Sequence, residues 1–425
     1  MKSASSIWLV SGVRTPFAKM DGALRQWDAI ALSAPVLQAM ARRLPSPYKP
    51  DLVVWGTVAP NLGWSNIARE VALDAGLDPS IPAFSTIMAC STSMVAVLQA
   101  AQMLNHGMLH LALAGGVESM SRVQIGLNAN LSFGLRRALQ SRGLAERLRS
   151  LRELNARDLR LHIPSVTNRI TKKSMGEHAE EMAQHWRIAR APQDEIALVS
   201  HQRVVAAQHR GFFDDLIVPI GNVSRDTLPR ADSSLEKLAR LPPVFDTHGG
   251  RGTITAASSS PLTDGAAACW VATDTGLERL PLASPRACLV DWEMAAVDIR
   301  NEGLLMAPAY AIPRLLYRQR LRYEDIDLWE IHEAFAAQVL CNIAALNDKT
   351  FVRRNAGIDQ DLGTFPVERM NPNGGSIALG HPFGATGARI LSQAVKTLAG
   401  LGAGKRAVVS ICADGGLGTV ALLQT

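Results

Sequence analysis

The chain is poor in everything that would cross-link it, anchor it or leave it unfolded. Its 425 residues hold five cysteines, an odd number without close pairing. That excludes a disulfide framework and fits a reduced compartment. No C-x-x-C spacing occurs, so a structural zinc site is not expected. Met1 to Val10 carries one basic residue and an apolar run too short for a signal segment, and no later run would span a bilayer. A cytoplasmic protein is expected. With 47% hydrophobic and 19% charged residues, disorder is also excluded, and the length suggests two or three folding units.

Acidic residues are scarce in one stretch. Between Arg136 and Lys173 there are 11 Lys/Arg against 3 Asp/Glu, which leaves 33 against 35 elsewhere out of totals of 44 and 38. The net charge of +6 therefore belongs to this segment. Its leucines are spaced as on a basic amphipathic helix within an irregular interval from about Met120 to Met175. A solvated helix covering its own loop is one reading; a docking surface for a partner subunit, an anionic membrane or an acidic substrate moiety is the other. Nucleic acid is not expected, because interleaved aromatics and a binding motif are missing.

What is present reads as strands alternating with helices. Ile7 to Ser11, Leu52 to Gly56, Ala83 to Ile87 and Leu111 to Gly116 are strand-like. Asp28 to Leu44 and Asn66 to Ala75 have helical periodicity. The pattern predicts an α/β fold with a covered, largely parallel sheet. It also hints at a doubled unit. Cys90-Ser-Thr-Ser before an apolar helix is matched by His381-Pro-Phe-Gly-Ala-Thr-Gly before another. The strand closed by Gly115-Gly116 is matched by Ala407 to Cys412, closed by Gly415-Gly416.

Four side chains can carry chemistry. Cys90 precedes a helix among small residues; a packed, inert thiol is the ordinary fate of a lone cysteine, but a helix N-terminus favours the thiolate. His381 lies in a run with five glycines, Gly374, Gly375, Gly380, Gly384 and Gly387, where backbone can approach a ligand; a surface histidine in a flexible turn is the alternative. Cys412 ends an apolar strand beside a turn, where open α/β sheets place functional groups. His332, with Glu333, ends another strand, and Ala336 at the fourth position after it breaks the H-E-x-x-H pattern.

These motifs resemble those of the thiolase family. His332-Glu-Ala-Phe335 with Gly375-Ser-Ile-Ala-Leu-Gly-His-Pro-Phe-Gly-Ala-Thr-Gly387 is most similar to the thiolase subunits of fatty-acid β-oxidation multienzyme complexes. Further matches are Val10 to Phe17, Gly115-Gly-Val-Glu-Ser-Met-Ser121, Ser174 to Glu180, Gly252 to Ala256, Leu262 to Ala266 and Ala307 to Pro313. The resemblance implies a thiolase fold of two similar five-layered α/β/α/β/α halves. Residues 1–119 and 176–275 would form the N-terminal half, 120–175 an inserted basic loop domain, and 276–425 the C-terminal half.

It implies a 3-ketoacyl-CoA thiolase as well. Cys90 would attack the keto carbon with His381 as its base, and Cys412 would shuttle the proton. His332, where many thiolases have Asn, would help hold the enolate oxygen. The N–H groups of Cys90 and Gly415 would form a second oxyanion site. Ser260, Met175 and Arg230 would contact CoA. Without the resemblance, Ser260 would read as a turn serine and Met175 as core. No metal or cofactor beyond CoA thioester substrates is implied, and a homodimer or homotetramer is. The basic insertion could recruit a hydratase/dehydrogenase subunit or touch a membrane.

Two positions depart from the family pattern. Ser258 stands where Asn is typical. Asp414 stands where a small residue is usual, and its charge near Cys412 would oppose an anionic enolate. A biosynthetic acetoacetyl-CoA thiolase and a catalytically quiet CoA-binding scaffold are the competing readings. A ketoacyl synthase would lack Cys412.

Overall fold

Nine strands carry the architecture: β1 (Trp8–Val10), β2 (Leu52–Gly56), β3 (Ala83–Ser85), β4 (Leu111–Glu118), β5 (Thr263–Ala272), β6 (Arg286–Ala296), β7 (Leu328–Ile331), β8 (Arg406–Ala413) and β9 (Leu417–Gln424). Among the described residues ten helices of eight or more residues accompany them: α1 (Ala29–Ala41), α2 (Ile67–Asp74), α3 (Thr92–Leu104), α4 (Ala129–Gln140), α5 (Leu144–Arg152), α6 (Met175–His185), α7 (Arg190–His209), α8 (Ala307–Arg318), α9 (Ala336–Asn347) and α10 (Thr386–Leu401). The computed structural model describes residues 6–425 apart from 60, 247 and 248.

Hydrogen bonding orders the strands β7-β8-β9-β6-β1-β5-β4-β2-β3. Outward from the central β1–β6 pair, the two directions match. β1 is antiparallel to β5, β5 is antiparallel to β4, and β4 is parallel to β2. On the other side β6 is antiparallel to β9, β9 is antiparallel to β8, and β8 is parallel to β7. Beyond β2 lies parallel β3, and beyond β7 Met370 forms a parallel bridge to Trp329. The doubled unit is therefore geometric, with β4 and β8 in equivalent places.

The sheet is not largely parallel. Among the eight neighbouring pairs only three are parallel. Sequence pattern picked out the strand–helix alternations, which give parallel neighbours. β8 and β9, however, are joined by Asp414-Gly415-Gly416 alone, and so short a turn permits only an antiparallel return.

Five layers arise from the two halves taken together. Alternate residues of each strand face opposite sides, as the period of two requires. Leu52, Val54, Ala112, Ala114, Ala407, Val409, Ala421 and Leu423 pack in one core with α3 and α10. Val53, Trp55, Leu111 and Leu113 face α1 and α2 on one outside. Val408, Val420 and Leu422 face α8 and α9 on the other. Burial around nearly the whole circumference of α3 and along Thr386 to Val395 of α10 is what a middle layer demands.

These two helices touch at their N-termini. The Ala388 N–H donates to Ser93 Oγ at 2.9 Å, and a Cβ on Gly387 would lie 2.3 Å from the Met94 nitrogen. Glycine there permits the approach that brings the Cys90 and His381 turns together.

The basic interval forms α4, α5 and a ribbon pairing Gly126–Leu127 with Leu161–His162. Leu154 packs on Gly134 of α4, whereas Leu139 is 81% and Leu144 75% exposed. Among the described residues no helix is long and apolar enough to cross a membrane.

Candidate active site

Cys90 sits in the turn Ala89–Ser91 that runs into α3. Ala89 has φ +45°, a left-handed conformation costly for a residue with a Cβ and frequent where backbone is held for function. Thr92 fixes the turn: its Oγ1 donates to Ala89 O at 2.8 Å and accepts from Met88 N at 2.9 Å. The turn packs on β8, which carries Cys412, and on the turn Phe383–Ala385 that follows His381.

His381 is placed by its own backbone. Its N–H reaches Thr263 Oγ1 at 3.0 Å and Pro261 O at 3.3 Å. His332 follows β7, and its N–H donates to Ser410 O on β8 at 2.8 Å. The two rings lie 4.3 Å apart between centroids. One ligand-capable atom from each of Cys90, His332 and His381 lies within 4.8 Å of the others. Residues from three distant parts of the chain therefore share one small volume. Cysteine and histidines also have the donor types of a soft-metal site, but an ion there would consume nucleophile and base together.

The His381 tautomer follows from its partner. The Thr386 hydroxyl donates to Pro382 O at 2.9 Å, so its oxygen accepts from His381 Nδ1–H at 2.7 Å. Nε2, buried and without a partner among the described residues, keeps its lone pair. Burial also lowers the ring to about 3, so it is neutral and able to accept a proton. His332 is lowered well below the ordinary value by burial, then by its neighbours His381 and Arg389.

Cys90 is not a resting thiolate, contrary to the expectation drawn from a helix N-terminus. Burial pushes it to about 12, Asp414 and Glu118 add to the rise, and the N–H groups of Asp414 and Cys90 itself oppose it. Partial exposure leaves a way in, but desolvation outweighs the helix end. Attack must therefore be coupled to transfer of the thiol proton to His381. Cys412, fully buried, is raised well above the usual thiol range by burial and then by Cys90.

The Asp414 N–H lies close enough to Cys90 to favour its thiolate. Gly415 N–H instead donates to Asp414 Oδ1 at 2.7 Å. The same oxygen accepts from Asn168 Nδ2 at 2.8 Å, so the departure from the family pattern is tied to the inserted segment.

The other expected contacts divide. Ser260 N–H donates to Ala334 O at 2.9 Å, and Ser259 bridges Phe335, which sets the serine run beside the His332 segment. Ser258 is buried and accepts from Thr255 N at 2.9 Å, a structural role inside that run. Met175 starts α6 and packs against the core of the second half. Arg230 is exposed, and its N–H donates to His201 Nδ1 at 3.2 Å; among the described residues no hydrogen bond joins it to the cysteine and histidine group.

Two carboxylates that shape the site stand inside family motifs, but nothing in the sequence assigns them a role. Glu118 accepts from Thr57 Oγ1, Val58 N and Ala59 N in one half and from Gly384 N, beside His381, in the other. Glu333 accepts from Ser200 Oγ, Asn371 Nδ2 and Ile377 N. Such buried carboxylates are stable only when multiply hydrogen-bonded. Their partners lie far along the chain, so membership of a motif was the one signal available for them.

The halved architecture and the paired cysteines and histidines define an acyl-transfer class of known family. Residues 7–275 match the model of the thiolase N-terminal domain and residues 283–425 that of the thiolase C-terminal domain; the chain belongs to the thiolase family. It is 38% identical to a 3-ketoacyl-CoA thiolase of Erwinia tasmaniensis, over 100% of this chain and 97% of that one. Identity to one of Yersinia enterocolitica is 36%, over 100% and 98%. The fold is similar to that of human mitochondrial 3-ketoacyl-CoA thiolase, with a TM-score of 0.81 and 28% identity over 99% of both chains. It is likewise similar to Bacillus anthracis acetyl-CoA acetyltransferase, with a TM-score of 0.80 and 29% identity over 100% of both.

Proposed function

We propose that the chain is a 3-ketoacyl-CoA thiolase that cleaves 3-ketoacyl-CoA with CoA to acetyl-CoA and a shortened acyl-CoA. One observation carries the reading: Cys90, His332 and His381 converge within 4.8 Å, with the Cys412 strand against the Cys90 turn. Cys90 sulfur bonds to the keto carbon as its proton passes to His381. The C2–C3 bond then breaks, its electrons form the enolate of acetyl-CoA, and the Cys412 thiol supplies the proton to C2. Thiolate Cys412 takes the proton of an incoming CoA, whose sulfur displaces Cys90 from the acyl carbon. His381 returns its proton to Cys90.

His332 donates to the enolate oxygen, and the N–H groups of Cys90 and Asp414 face the oxyanion at the attacked carbon. CoA and its thioesters are substrates, with Ser260 and Met175 near pantetheine and Arg230 toward the nucleotide. For the inserted segment, exposed leucines and excess arginine support recruitment of a partner subunit. Charge reversal across Arg136 to Arg152 that left assembly unchanged would count against that.

Similarity to an acetyl-CoA acetyltransferase keeps acetoacetyl-CoA chemistry as the second reading. Thiolysis of 3-ketoacyl-CoAs of several chain lengths separates the two: turnover beyond the four-carbon substrate is expected. Turnover of acetoacetyl-CoA alone favours the second reading, and CoA binding without turnover favours a scaffold. Cys90→Ala should form no acyl-enzyme; an acyl-enzyme trapped on that variant would overturn the assignment of the nucleophile.

A further inference from the structure

We propose that Ser376, anchored by Arg389, donates its hydroxyl hydrogen to His332 Nδ1 and so keeps the ring proton on Nε2. The inference rests on the thiolase reading and adds two positioning residues to it. Ser376 is fully buried at the start of a short helix, Ser376–Leu379. Its oxygen lies 2.6 Å from Arg389 Nη2 and 2.9 Å from His332 Nδ1.

A guanidinium only donates, so Arg389 occupies one lone pair of the Ser376 oxygen. Among the described residues the hydroxyl hydrogen then has one acceptor within reach, Nδ1. If Nδ1 carried the ring proton instead, two donors would converge on Ser376 and its own O–H would be left buried without an acceptor. A buried polar hydrogen left unpaired is disfavoured by roughly 1–3 kcal/mol, enough to fix the tautomer. The proton is therefore on Nε2, which is buried and has no partner among the described residues.

The two histidines are thereby set to opposite tasks. Thr386 holds the His381 proton on Nδ1 and leaves a lone pair on Nε2, whereas Ser376 leaves an N–H on the corresponding atom of His332. One ring accepts the thiol proton and the other donates to an oxyanion. Dry surroundings keep both neutral, so neither role is lost to a second proton. With the tautomers exchanged, His332 would present a lone pair to the enolate and repel it.

The test compares two reactions of the same enzyme. Thiolysis needs the enolate donor; exchange of labelled CoA into a saturated acyl-CoA uses Cys90, His381 and Cys412 but forms no enolate. Ser376→Ala should lower the thiolysis kcat about 10- to 100-fold, as loss of a ligand-orienting partner does, with KM and label exchange within about twofold of wild type. Introduced into His332→Ala, it should cost nothing further, because the ring it orients is gone. Unchanged thiolysis, equal losses in both reactions, or a full additional loss in the His332→Ala background would each overturn the proposal. A wild type that exchanges label but performs no thiolysis would overturn the functional reading itself.

Discussion

Asn168 holds the carboxylate of Asp414: its Nδ2 donates to Oδ1 at 2.8 Å across 246 positions of sequence. The charge that the sequence placed beside the reaction is therefore fastened to the inserted segment, with its peptide N–H toward Cys90. It still raises the Cys90 thiol, together with Glu118 and after burial, while Cys412 faces Cys90 from β8. Asp414→Asn keeps an oxygen for both donors and removes the charge. Alkylation of Cys90 by iodoacetamide should shift to lower pH and run roughly tenfold faster at a fixed pH, the equivalent of about one pKa unit. An unmoved profile would mean that the charge is not felt at the sulfur.

Gly375 marks where the His332 strand end and the His381 run are packed hardest. A Cβ there would lie 2.3 Å from Glu333 Cδ and 2.5 Å from both carboxylate oxygens. That carboxylate also receives Ser200, Asn371 and Ile377, so it cannot retreat without breaking hydrogen bonds. Gly375→Ala should destabilise the fold by about 2–3 kcal/mol, from overpacking and a strained buried network. Urea unfolding reads this as a lower midpoint with unchanged slope. A neutral substitution would show that Glu333 has room to move.

Local pattern was enough to find the parts of the fold that are local. β2 was bounded to the residue, α1 and α2 start at their expected caps Asp28 and Asn66, though α1 ends at Ala41 rather than Leu44, and the weak repeat proved to be the symmetry of the strand order. β5, a run of Thr, Asp, Gly and Ala before Cys269-Trp-Val, is buried on both faces and has neither alternation nor many β-branched residues to announce it. The same division holds at the site. Cys90, His381 and Cys412 stand out by their small or glycine neighbours and His332 by its place with Glu333 at a strand end, but the partners that tune them are set by contacts between halves. The family resemblance implies the Gly415 N–H as an oxyanion donor. The Asp414 side chain takes the Gly415 N–H for itself, a competition visible only in three dimensions.

Acid should unfold the protein through its buried histidines. His381 is held at about 3 against an ordinary 6.5, chiefly by burial and then by Arg389. His201 is held at about 4 by burial and by Arg230, with Asp232 opposing. His332 is also lowered. A base whose folded value is depressed takes up its proton in the unfolded chain first. Its contribution is therefore complete above pH 6.5 and is lost as pH falls through the folded value. Each such group adds a slope of up to about 1.4 kcal/mol per pH unit below 6.5. His381→Asn retains a donor for Thr386 and removes one of these groups. Urea unfolding at pH 7.5 and pH 5 should show wild type losing about 2 kcal/mol more than the variant over that interval, the integral of one proton from pH 6.5 down to pH 5. Equal losses in the two proteins would mean that the His381 ring is protonated in the folded state near its ordinary value, and the neutral base assigned to Cys90 would fall with it.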